Sequence, residues 1–126
     1  MKPNTLTIAS LLTIILLPFH IAGDVALGLD PGGPGILFIA VPVLLLVACG
    51  TLLLAERRSG HLIMFLGGLV ALGMPIIHRH NGFTPTVAKS PGGVFFIWTL
   101  MALGVIGALA IILSARGLWN LRSRRT

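Results

Sequence analysis

Four stretches of the chain contain no Asp, Glu, Lys or Arg: residues 3–23, 31–55, 59–78 and 90–115. Each is apolar along its whole length rather than alternating with period two, which excludes the strands of a membrane barrel. Each also reaches the roughly 20 residues a helix needs to cross a hydrocarbon core. The pattern predicts helices at about 5–23, 35–55, 61–78 and 93–114, with a basic cytoplasmic tail over 115–126. The expected fold class is all-α: a single-domain (1–126) integral membrane antiparallel four-helix bundle with both termini inside. Lys2 ahead of an apolar core also fits a secretion signal; the first run is read as a retained span.

The polar exceptions inside these runs are ordered. Ser10, Thr13, Leu17, His20 and Asp24 are spaced alternately by three and four residues, so one face of the first helix carries them all. Polar groups at membrane depth face the protein interior rather than lipid. Gly67, Ala71, Met74 and His78 follow the same spacing on the third helix. Pro18, Pro42 and Pro75 fall in the outer halves of three spans, where each removes a helical hydrogen bond. Three kinks at one depth would splay the bundle into an outward cavity. Gly67 with Ala71, and Gly104 with Ala108, are small-xxx-small pairs that allow close helix approach.

Composition agrees with the pattern. Hydrophobic residues make up 56% and charged ones 10%, against about 25% charged in soluble domains, and mean hydropathy is +1.02. The lipid bilayer is therefore the first partner. Nine basic against three acidic residues give a net charge of +6, but no basic patch interleaved with aromatics suggests nucleic acid. The basic residues instead set orientation. Lys2, Arg57, Arg58, Arg116, Arg122, Arg124 and Arg125 lie on one side of the predicted spans, and only Arg79 and Lys89 on the other, which places the majority side in the cytoplasm of a cell membrane. Both outer loops end in a Pro-Gly-Gly turn, Pro31-Gly32-Gly33 and Pro91-Gly92-Gly93. The inner loop around Glu56–Gly60 is so short that the second and third helices must be neighbours.

Candidate chemistry collects at the outer end. His20 and Asp24 share a helix face at i, i+4, and His78 and His80 stand at similar depth, so these four form a candidate metal-ligand cluster; imidazole and carboxylate suit zinc, copper or iron. Two facing histidines also suit haem. No HExxH or CxxC pattern accompanies them, and Arg79 opposes a cation, so no cofactor is the primary expectation, with a metal ion or haem as the alternative. Ser10 has no base at its depth, and Cys49 has no histidine beside it, so no nucleophile is assembled and no enzyme is expected.

Length and helix count resemble those of small multidrug transporters and fluoride channels. The transporters carry a carboxylate deep in their first helix, where this chain has only Asp24 at the membrane edge, and the channels' asparagine and phenylalanine box is missing. The leading expectation is a structural or assembly role, as a homo-oligomer or an accessory subunit of a larger membrane complex. A small transporter or channel with an outward vestibule, and a metal- or haem-binding protein using the outer histidines, are the alternatives.

Overall fold

The computed structural model describes residues 4–30 and 33–123, and all regular structure among them is helical. Five α-helices follow one another: α1 (Thr5–Ala26), α2 (Leu37–Leu52), α3 (Arg58–Ile77), α4 (Pro85–Lys89) and α5 (Gly93–Ser123), with a 3-10 turn at Gly33–Ile36 leading into α2. Three of them, α1, α3 and α5, are long and apolar enough to cross a membrane. The second predicted span is shorter than expected. Lys2, Arg124, Arg125, Pro31 and Gly32, used above for the charge count and the first Pro-Gly-Gly turn, lie outside the described residues.

Local chemistry explains the boundaries. Asn4 caps α1, accepting from the Thr7 amide at 2.8 Å and its hydroxyl at 2.9 Å. The helix runs past Gly23, where it was expected to stop. It ends instead at Leu27, just before Gly28, whose φ of +66° breaks the helical path. Gly23 stays helical because its bare backbone lets Phe96 approach; a Cβ there would lie 3.1 Å from the ring. At the other end of the bundle, α2 stops at Leu52 so that the chain can turn back within five residues. Gly60 makes that turn feasible, since any side chain on it would strike the Leu54 carbonyl. The last helix runs nine residues beyond its expected end. Gly117 leaves room for the His61 ring, and the Arg58 guanidinium donates to the Leu121 carbonyl at 3.2 Å, tying the extension to α3. The loop after α3 holds the short α4, with the Thr84 hydroxyl capping its Val87 amide and Pro85 in its first turn. The second Pro-Gly-Gly turn is present, with Gly92 at φ +78° and the Gly93 amide bonded to the Ser90 carbonyl.

The core is organised around α5, which packs most extensively against α3 and next against α1. Backbones come closest where Gly68 meets Gly107: a Cβ on Gly107 would lie 2.5 Å from the Leu72 nitrogen. The pairs picked out by sequence work differently. Gly67 accommodates Val47 of α2, and Gly104 faces Pro75. Phe96, Met64, Leu100 and Leu103 are the largest apolar side chains fully buried. By contrast, α2 lies at the margin with most of its surface open, including Phe38 at 87% exposure; Cys49 is also exposed there rather than packed.

Candidate functional site

The polar stripe of α1 faces inward along its entire length: Ser10, Thr13, Leu17, His20 and Asp24 are all buried. Its two ends do different things. Ser10 shares a 2.6 Å hydrogen bond with Thr51 of α2, and Thr13 donates to the Ala9 carbonyl, so that end is a satisfied helix contact. The other end is not satisfied.

His78 is the first residue past α3, held there by hydrogen bonds from its amide to the Met74 carbonyl and from the Gly82 amide to its own carbonyl, at 3.1 and 2.8 Å. Gly82 is needed at this point: a Cβ would stand 2.8 Å from the His78 Cβ. So oriented, the His78 Nε2 lies 3.3 Å from Asp24 Oδ2. The His20 and His78 rings meet edge to face with centroids 5.2 Å apart. Phe96 of α5 backs both, stacked on His20 at 4.9 Å and edge-on to His78 at 5.6 Å. One potential ligand atom from each of His20, Asp24 and His78 lies within 4.8 Å of the others. All three residues are more than nine-tenths buried. Yet both ring nitrogens of His20, Oδ1 of Asp24 and Nδ1 of His78 find no hydrogen-bond partner in the protein.

The chain matches no family model, no curated protein and no solved structure.

His80 does not join the triad. Beyond the end of α3 the chain turns outward, leaving His80 exposed with its Nε2 accepting from Arg79 Nε at 2.8 Å. Arg79 is likewise exposed. The expected four-residue cluster is therefore three residues from two helices. Phe96 and Gly82 complete the setting, and neither was legible beforehand: Phe96 sits in an unbroken apolar run, and Gly82 in a loop of unknown path.

Beside the triad opens a cavity of about 310 Å³ between α1, α2 and α3. His20, Asp24 and His78 form its polar wall, while Ile36, Ala40, Val43, Val70, Met74 and Ile77 line much of the rest, and Asp30 also contributes. A second cavity, lined in part by Pro18, Ala40 and Val41, lies between α1 and α2. Cavities thus flank the half of α2 that contains Pro42, where Ala40 stays buried in a cluster with Leu17, Ile21 and Ala71.

Proposed function

We propose that this chain is a four-span membrane protein that binds a divalent transition-metal ion through His20, Asp24 and His78 at its outward end. The supporting observation is the convergence of four unpartnered, buried polar atoms on these three side chains. Each buried polar group left unmade costs about 1–3 kcal/mol, and native proteins leave few such groups unexplained. A single cation between them answers several at once. Neutral imidazoles and a carboxylate are borderline donors that suit zinc first, and also copper or iron.

The fit is close. Bonds of about 2.0–2.2 Å set tetrahedral donors roughly 3.3 Å apart, so the widest gap closes by side-chain rotation of about 1.5 Å at most. Phe96 stacks on the His20 ring at 4.9 Å and packs edge-on to His78, which limits the rotation of both imidazoles. Haem fits less well. Axial imidazoles stand on opposite faces of the macrocycle, whereas these two rings touch each other at 5.2 Å. In this reading α2, preceded by its 3-10 turn, is the fourth span, and both termini are cytoplasmic by the basic-residue bias.

The second reading is the assembly role, and the apolar exposed face of α2 favours it; lipid covers such a face equally well.

The test is metal content. Protein purified in detergent, stripped and then dialysed against micromolar zinc should retain about one equivalent by mass spectrometry. His20→Ala and His78→Ala should each weaken retention at least about 10-fold, and His80→Ala should leave it unchanged. Equal retention by His20→Ala and the parent protein sinks the reading.

A further inference from the structure

Building on the metal reading, we infer that the cavity beside the triad receives a small, neutral, lipid-soluble molecule that places one hydroxyl or carbonyl oxygen on the ion's open position. Three features of the cavity point this way. First, its polar wall is the triad with Asp30 beside it, and the three triad residues are buried and carry unpartnered atoms. Three protein donors leave a tetrahedral ion one position short. Second, apart from Asp30 the remaining lining is apolar, and it includes Ile39 and Ile77, exposed at 66% and 69%. A cavity lined mainly by apolar side chains takes apolar molecules from the bilayer more readily than polar solutes from water. At about 310 Å³ the space lies at the small end of ligand pockets, so it holds a head and a few carbons rather than a whole lipid.

The third feature is charge. Asp24 and Asp30 both line the cavity, so a negatively charged head would enter beside two carboxylates. An anionic head would leave an uncompensated charge in apolar surroundings, which is costly. A neutral oxygen donor adds none. The occupant is therefore an alcohol or a ketone-like carbonyl compound, not a fatty acid.

Photolabelling tests this. Zinc-loaded protein in nanodiscs is illuminated with a medium-chain alcohol bearing a diazirine, and the labelled peptides are mapped by mass spectrometry, with metal content measured on the same samples. Label should concentrate on Val43, Val70 and Met74, fall at least about 10-fold after chelation, and be competed by 1-octanol but not by octanoate. Val43→Phe and Val70→Phe fill the cavity from opposite walls; each should lose the label and keep its zinc. If zinc binds but the label spreads along the lipid-facing helices, or survives chelation, this inference is wrong and the metal reading stands. Stronger competition by octanoate than by octanol overturns the neutral head. If no zinc binds, both fail together.

Discussion

Phe96 is 1% exposed and lies against both imidazoles, which makes it a sensitive probe of how the histidines are held. Phe96→Ala should destabilise the protein by about 3–5 kcal/mol, the usual cost of emptying a packed aromatic site. Phe96→Leu preserves most of the volume and removes the ring plane. It should therefore unfold thermally close to the parent while zinc affinity falls about 10-fold, since His20 loses the surface that fixes its orientation. Equal zinc affinity in Phe96→Leu would show that the stack is only packing. The three buried side chains of the cluster were largely visible in the sequence, because an i, i+4 pair on a buried helix face and a histidine at matching depth need only helix geometry to be brought together. His80 was misplaced because residues past a helix end follow the loop. Where that loop goes depends on Gly82 and on the packing of Val87 near Phe96 and Leu100.

Among elements, the closest partnership is between α3 and α5, and its weight falls on two glycines. Gly107→Ala should cost about 1–3 kcal/mol, the range typical of overpacking, because its Cβ would meet backbone at Leu72 and Gly68 rather than a movable side-chain tip. Gly73 is the control: it is equally helical, with nothing within 4 Å of an added Cβ. Gly73→Ala should be neutral or stabilising by up to about 1 kcal/mol through helix propensity. Thermal unfolding of both variants in one detergent gives the comparison, and similar losses in both would mean that the contact is not tight. The existence of long apolar helices was plain from the four uncharged runs. Their ends were harder, since Gly23 looks like a stop in sequence but is a contact with Phe96 in space, and the continuation of α5 depends on Arg58 and His61 from a distant segment.

For the whole molecule, the proposed orientation rests on where the basic residues lie. The described residues place Arg57, Arg58, Arg116 and Arg122 at one end and Arg79 and Lys89 at the other, with His20, Asp24 and His78 close to the second. In a Cys49→Ser background, Arg58→Cys should react with a membrane-impermeant maleimide only after the cells are opened, and Lys89→Cys in intact cells. Reaction of both from one side would overturn the topology. Helix lengths carry a further consequence. At 1.5 Å per residue, α2 spans only about 24 Å, whereas α5 spans about 46 Å. A bilayer core is about 30 Å thick. In the four-span reading, the 3-10 turn Gly33–Ile36 adds about 8 Å to α2 at about 2.0 Å per residue, which brings that segment to the thickness of the core. In the same reading the surplus length belongs to α5, which projects past the hydrocarbon at the end that carries Arg116 and Arg122 and sets those charges among the headgroups.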